Sequence, residues 1–95
     1  MFFTYIIQSQ VDISYYIGHS SDINKRLSYH NEGLSMYTSK MVPWKLVYIE
    51  TFQTKGEASK RELFLKKQRN HSFYKRLISS ESNEILQLPN MSPEA

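Results

Sequence analysis

The chain has 95 residues, which is enough for one modest hydrophobic core and excludes two domains of ordinary size. Hydrophobic residues make up 40% of it, which argues against disorder, and the lack of cysteine excludes disulfide bonds, thiolate catalysis and cysteine-ligated zinc. The apolar amino-terminal run has no charged lead and is too short to cross a bilayer, so we expect no membrane association and a cytoplasmic protein.

Positive charge is concentrated in the first 76 residues. All twelve Lys and Arg lie there with six Asp and Glu, for a net charge of +6, and residues 77–95 carry three Glu without a basic residue. Eight of the twelve basic residues fall between Lys55 and Arg76. This density favours a polyanion such as DNA as partner, although a solvated helix face would have a similar composition.

Two short segments rich in aromatic and β-branched residues, 2–8 and 15–19, are predicted to be strands. The short connection between them favours an antiparallel hairpin. Alternation places Tyr5 on one face of the first strand, and Tyr16 and Gly18 on one face of the second. We therefore expect Tyr5 and Tyr16 to lie close together.

A helix is predicted after residues 20–22, because the sequence SSD is typical of a helix start. Ile23, Leu27 and His30 follow at helical spacing, and Gly33 is typical of a helix end. Residues 33–43 then form a long polar connection.

A third strand is predicted over residues 44–52 and helices over residues 57–68 and 72–78. On strict alternation, the two sides of this third strand carry Trp44, Leu46, Tyr48 and Glu50 on one side, and Lys45, Val47, Ile49 and Thr51 on the other. The serines, prolines and acids of residues 79–95 predict a flexible acidic tail after a domain over residues 1–78. The predicted fold is α+β, a three-stranded antiparallel sheet flanked by helices in the order β-β-α-β-α with one extra helix.

Glu62 lies on the same helical stripe as Ala58 and Leu65, so its carboxylate needs a partner at the edge of the core. An exposed pair with Lys66 four residues later satisfies this requirement. A hard divalent cation such as Mg²⁺, which uses one or two carboxylates and several waters, satisfies it equally.

Arg26 and His30 lie one helical turn apart on one face. Arg is the side chain best shaped to grip a phosphate, and His exchanges a proton near neutral pH. A solvated charge and a helix-terminal cap are the alternatives for these two residues. Filling a core is the alternative for Tyr5 and Tyr16.

Together, these residues form a pattern that resembles the motifs of the GIY-YIG nuclease domain. The resemblance rests on Tyr16-Ile17-Gly18, Arg26 ten residues after that tyrosine, His30 four residues further on, and Glu62 in a later helix. Phe3-Thr4-Tyr5 stands where the family has Gly-Ile-Tyr. The stretches NKRLSYHNEG, YTSK, PWKLVYIE and EASKRE are similar to the small stand-alone bacterial members, and the resemblance extends from about residue 2 to residue 67.

The resemblance implies metal-dependent, endonuclease-type hydrolysis of DNA phosphodiester bonds with low sequence specificity, directed by substrate structure or single strands, as in DNA repair. One Mg²⁺ or Mn²⁺ ion would be held by Glu62. Arg26 would neutralise charge on the phosphate, Tyr16 would activate water, Tyr5 would position the water or phosphate, and His30 would relay a proton.

The same resemblance assigns substrate contacts outside the catalytic set. His19 follows the glycine of the second motif, where relatives often have a basic residue. The phosphate contacts, which would not read sequence, are expected from Lys66, Lys67, Arg69, Lys75 and Arg76. The residues assigned to substrate binding are Gly18, His19, Tyr37, Lys40, Lys66 and Lys67. For the late asparagine of larger members, Asn70 and Asn83 are both candidates.

Two alternatives to the enzyme stay open at this point. The first is a nucleic-acid-binding module with the same fold and weak or no catalysis, which would bind DNA in a salt-dependent way without cutting it. The second is a toxin or defence component that acts with a partner. DNA and RNA are not distinguished by the sequence.

Overall fold

The computed structural model describes residues 1–85, which form a three-stranded antiparallel sheet with helices on both faces. Strand β1 lies in the centre, with β2 and β3 at the two edges. This architecture confirms the predicted fold class. The elements are β1 (Phe2–Ser9), β2 (Tyr15–Ser20), α1 (Ile23–Asn31), a short 3₁₀ helix (Ser39–Met41), β3 (Trp44–Phe52), α2 (Lys55–Gln68) and α3 (His71–Ile78).

The hairpin of β1 and β2 has the predicted pairing. Tyr5 lies opposite Gly18, and Ile7 lies opposite Tyr16, so both tyrosines project from the same face of the sheet. Residues of α1 cover this face, which we call the α1 face. Helices α2 and α3 cover the other, the α2 face.

The prediction of strict alternation along β3 is wrong beyond Leu46. The register between β1 and β3 shifts between Ile6 and Ile7, and the extra residue in β3 forms an irregularity of the β-bulge type. As a result, Ile49 joins the cluster on the α1 face, whereas Tyr48 lies in the cluster on the α2 face. A bulge moves all later residues of a strand to the face opposite to the one that alternation predicts. Strand β3 therefore contributes core side chains to both the α1 face and the α2 face.

Helix caps fix where the helices begin. Asp22, the last residue of the predicted SSD helix start, accepts a hydrogen bond from the Lys25 amide at the start of α1. Thr54 and Glu57 form a reciprocal capping box, and α2 therefore begins two residues before its predicted start. Asn70 caps α3, so this candidate for the late asparagine has a structural role.

Residues 79–85, the first part of the predicted tail, pack along the outer edge of β3. The Asn83 side chain bonds to the backbone of Val47 and Ile49, and the Glu84 amide donates to the Ile49 carbonyl. Ile85 packs against the cluster on the α1 face. The rest of the tail, residues 86–95, lies outside the described residues, so its flexibility and the domain boundary at residue 78 stay predictions.

Gly18 makes the close packing of Tyr5 feasible, since a Cβ atom at this position would lie only 2.5 Å from the Tyr5 hydroxyl oxygen. Gly18→Ala is therefore expected to lower the free energy of unfolding by about 1–3 kcal/mol through overpacking, as measured by urea denaturation. Gly56→Ala is the matched control, because nothing lies within 4 Å of its added Cβ. The control should be neutral or stabilise α2 by up to about 1 kcal/mol. Equal stability of the two variants would contradict the packing argument.

Candidate active site

A chain of buried polar side chains occupies the α1 face beside β2. The Tyr5 hydroxyl oxygen lies 3.0 Å from His30 Nε2, and His30 Nδ1 lies 2.9 Å from the Thr38 hydroxyl oxygen. Tyr5 is 2% exposed, and His30 and Thr38 are completely buried. Each of the three elements β1, α1 and the α1–β3 loop therefore contributes one member to a single hydrogen-bonded chain.

Arg26 is the fourth member of this cluster. Its guanidinium lies over the Tyr29 ring, 4.4 Å from the ring centroid, and is close enough to Tyr5 to act on the pKa of that phenol. A guanidinium group can only donate, so with Arg26 nearby we expect the Tyr5 hydroxyl to direct its own proton to His30 Nε2. On this expectation the imidazole proton lies on Nδ1 and is donated to the Thr38 hydroxyl.

The protonation of the cluster follows from its burial. Burial raises the pKa of Tyr5 to about 12, although the neighbouring Arg26 acts to lower it. Burial, together with the positive charge of Arg26, lowers the pKa of His30 to about 4. At neutral pH, therefore, Tyr5 is a neutral phenol and His30 a neutral imidazole.

Tyr16 lies beside this cluster and is only half-buried. Its ring meets the His30 ring edge-on at a centroid distance of 4.9 Å and the Tyr37 ring at 5.6 Å. The ammonium group of Lys66 lies 5.9 Å from the Tyr16 ring centroid. Of the two predicted tyrosines, Tyr16 is thus the one that reaches solvent, while Tyr5 supports it from inside.

Glu62 comes from α2, on the other side of the sheet. One carboxylate oxygen lies 2.5 Å from His19 Nδ1, and the other lies 2.5 Å from Lys66 Nζ. The side chain is 14% exposed, so it sits at the rim of the core as the helical stripe predicts. The predicted pair with Lys66 is present, and His19 is a second partner that spacing along the chain could not reveal.

The structure brings the predicted catalytic residues together around the edge strand β2. Tyr5, Tyr16, Arg26 and His30 form the cluster on the α1 face, and Lys66 joins Glu62 to the Tyr16 ring. Glu62 is close enough for its charge to act on the pKa of Tyr5. The roles of these residues stay predictions.

The residues assigned to substrate binding are placed unevenly. Gly18, His19, Tyr37 and Lys66 lie in or next to the site. Lys40, on the 3₁₀ helix, and Lys67, on α2, are exposed, and their contact with substrate stays a prediction.

Thr38 is a site residue for which the sequence predicts no role in holding His30. It lies in the YTSK stretch of a polar loop, where a threonine carries no periodic or charge signal. The Trp44 indole donates a hydrogen bond to the Thr38 carbonyl, and this bond fixes the position of Thr38 within the loop. Only the fold reveals that its hydroxyl fixes His30.

Comparison with known families agrees with this arrangement. The sequence model of the GIY-YIG catalytic domain matches residues 1–76 of the chain. The chain therefore belongs to the GIY-YIG family, a nuclease superfamily whose domain implies a nucleic-acid substrate and whose nucleases generally depend on divalent metal.

Within this family, the chain is similar to small bacterial proteins of the UPF0213 group. A UPF0213 protein of Clostridium perfringens is 42% identical over 84 residues, covering 86% of this chain and 87% of the relative. A UPF0213 protein of Staphylococcus epidermidis is 45% identical over 65 residues, covering 67% and 78%. The solution NMR structure of a UPF0213 protein from Bacillus halodurans matches with a TM-score of 0.52 and 28% identity, covering 86% and 87%.

The depressed pKa of His30 predicts a pH dependence of stability. The unfolded chain binds a proton at this residue below about pH 6.5, whereas the folded state resists it down to about pH 4. Neutral His30 therefore contributes fully to the free energy of unfolding above pH 6.5. This contribution, on the order of 2–3 kcal/mol, is lost as the pH falls toward 4. Urea denaturation of wild type and His30→Gln at pH 7.0 and 4.5 measures this, and the variant should show the flatter dependence. Titration of the His30 ring by NMR near pH 6.5 would contradict the prediction.

The assigned tautomer gives a second prediction, for Thr38. In wild-type protein, nitrogen NMR of the His30 ring should show the proton on Nδ1, because Nε2 accepts from Tyr5. Thr38→Val should leave Nδ1 without a partner and lower the free energy of unfolding by about 1–3 kcal/mol, whereas Thr38→Ser should behave as wild type. A proton on Nε2 in the wild-type ring would contradict the assignment.

Proposed function

We propose that the chain is a divalent-metal-dependent endonuclease that hydrolyses DNA phosphodiester bonds with low sequence specificity. The observation that carries the proposal is the meeting of four kinds of group at the β2 edge. A phenol, a guanidinium and an imidazole come from the α1 face, and a carboxylate comes from the α2 face. Family membership supports the same reaction class.

Arg26 is the group suited to the scissile phosphate. Its guanidinium is half-buried and already held by Tyr5 and the Tyr29 ring, so little side-chain entropy remains to be lost when a phosphate binds. A fixed positive charge next to the phosphate stabilises the extra negative charge of the transition state. Tyr5 acts here through Arg26 and His30, and we assign it a positioning role.

Tyr16 is the candidate base for the attacking water. It is the accessible phenol of the cluster, and the ammonium group of Lys66 lies 5.9 Å from its ring centroid. Tyr5 is 2% exposed and burial raises its pKa to about 12, so its phenolate is scarcely populated at neutral pH and is closed to water. His30 lies against both rings and can pass a proton between the tyrosine side and Thr38.

Glu62 fits a single hard cation such as Mg²⁺ or Mn²⁺. Within residues 1–85, no group of three or more His, Cys, Asp or Glu residues could enclose a metal ion. A lone carboxylate is still an appropriate ligand for Mg²⁺, which keeps several waters and takes further oxygens from substrate phosphate. His19 and Lys66 occupy the carboxylate oxygens and would have to release one of them. The ion, when bound, supplies Lewis-acid stabilisation of the leaving oxygen.

The occupied carboxylate favours one other candidate function. With both oxygens of Glu62 paired to His19 and Lys66, the same arrangement is a closed ion network that holds α2 on β2. A chain that kept this network closed would be a DNA-binding module without turnover. Such a module would bind DNA and release it with added salt, and neither Mg²⁺ nor Mn²⁺ would produce cleavage.

Glu62→Ala separates the two functions. We expect the variant to lose at least about 100-fold in cleavage of labelled single-stranded and duplex DNA with Mg²⁺, because it removes the candidate metal ligand. Its DNA affinity in EDTA should stay within about threefold of wild type, because one acidic charge next to the phosphate has been removed and no contact to DNA has been lost.

Glu32→Ala is the matched control, since Glu32 is an exposed acid at the end of α1. It should cut DNA at the wild-type rate. Undiminished cleavage by Glu62→Ala would place the reaction at another site, and DNA binding by wild type without cleavage in either metal would select the binding module.

A further inference from the structure

A cleft of about 520 Å³ runs along the outer edge of β2, next to the proposed reaction centre. We call it the β2-edge cleft. Strand β2 forms its floor, the α1–β3 loop forms one wall, and the ends of α2 and α3 form the other. Its volume falls within the roughly 300–1,000 Å³ typical of small-molecule sites. The residues that line it and carry the argument are Tyr15, Tyr16, Tyr37, Lys66, Arg69 and Tyr74.

Aromatic rings line both walls. Tyr37 is 74% exposed, and its ring contacts that of Tyr16 at a centroid distance of 5.6 Å, with 47° between the ring planes. Tyr15, on the floor, is tilted by 32° against the His71 ring at a centroid distance of 4.6 Å, and it meets Tyr74 of the opposite wall edge-on at 5.7 Å. The α1–β3 loop thus presents the exposed ring of Tyr37, and the opposite side of the cleft presents rings that pack against one another.

The charge of the cleft complements an anion. Of the described residues that line it, Lys66 and Arg69 are cationic and none is acidic. Arg69 ends α2 in the left-handed region at φ 45°, where its amide donates to the Tyr74 hydroxyl. The Tyr74 hydroxyl in turn donates to the Leu65 carbonyl, so the turn that carries Arg69 is tied to the core.

Two residues of the cleft also belong to the proposed site. Tyr16 is the candidate base, and Lys66 pairs with Glu62. A nucleotide chain whose phosphate lies at Arg26 and Glu62 would therefore place a neighbouring nucleotide in the β2-edge cleft. The aromatic faces can stack with any base, and the two cations suit the phosphates on either side.

We propose that the β2-edge cleft binds one unpaired nucleobase next to the phosphate that is cut, stacked on Tyr37. The inference rests on the proposed function for the position of the cut, and it narrows the substrate class to single strands or locally unpaired nucleic acid. A base inside a continuous duplex is stacked and paired on both sides, so it cannot enter the cleft without the cost of unpairing.

Binding in EDTA tests the cleft independently of cleavage. The probes are a fluorescent twelve-nucleotide oligothymidine and a hairpin-closed duplex, each measured by anisotropy with wild type and Tyr37→Leu. Tyr37→Leu should weaken binding of the oligothymidine about tenfold, in the range of one base–aromatic stack, and change duplex binding less than about twofold. Unchanged affinity for the single strand, or equal loss for both probes, would overturn the proposal.

Two control variants isolate the ring. Tyr37→Phe keeps the aromatic face and should bind the single strand as wild type does. Met36→Ala alters a neighbouring side chain of the same loop that is 95% exposed and does not line the cleft, and it should also leave binding unchanged. A loss from Met36→Ala equal to that from Tyr37→Leu would attribute the effect to the loop and overturn the stacking argument.

A fully abasic strand of equal length and charge completes the design. Wild type should prefer oligothymidine over the abasic strand, and Tyr37→Leu should lose most of that preference, because the ring can stack only on a base. An equal preference in both proteins would overturn the inference. If wild type showed this preference for oligothymidine but cut no DNA, the proposed function would be overturned, whereas the base-binding site would still be supported.

Discussion

The missing side chain at Gly18 is the constraint on which the candidate site depends. A Cβ there would lie 2.5 Å from the Tyr5 hydroxyl oxygen and 2.7 Å from the ring carbon that carries it, and both contacts are too short to exist. Gly18 therefore lets a large ring on β1 extend across the hairpin. Because Tyr5 fills this space, its hydroxyl meets Arg26 and His30 from α1, and the polar chain continues to Thr38.

The two edges of the sheet are used differently. Residues 83–85 cover the outer edge of β3 with backbone and side-chain hydrogen bonds, which protects an edge that would otherwise be open to pairing. At the β2 edge, groups from the two helical layers can meet around a single strand. Lys66 shows this most directly, since it pairs with Glu62 on α2 and lies over the ring of Tyr16. A central strand would have separated these groups by the full thickness of the sheet.

Local patterns account for what the sequence predicts well. The hairpin alternation places Tyr5 and Tyr16 on one face, and helical spacing places Arg26 and His30 one turn apart. The bulge in β3 has no local signal, because β-branched and aromatic residues suit either face. The pairing of His19 with Glu62 spans 43 residues, and the Thr38 contact depends on a loop that a Trp44 hydrogen bond fixes. Such contacts arise only when distant elements pack.

The polar chain in the core is better explained by chemistry than by stability. In a domain of this size, each buried hydroxyl or imidazole must recover its desolvation cost through hydrogen bonds, and apolar side chains of the same shape would serve the core at least as well. Tyr5, His30 and Thr38 are nevertheless all buried and mutually satisfied. Their arrangement holds Arg26 in place and leaves a neutral imidazole against Tyr16. A rigid cluster of neutral groups beside an accessible phenol is what the proposed phosphodiester hydrolysis would use, whereas a module that only binds DNA would need the surface cations alone.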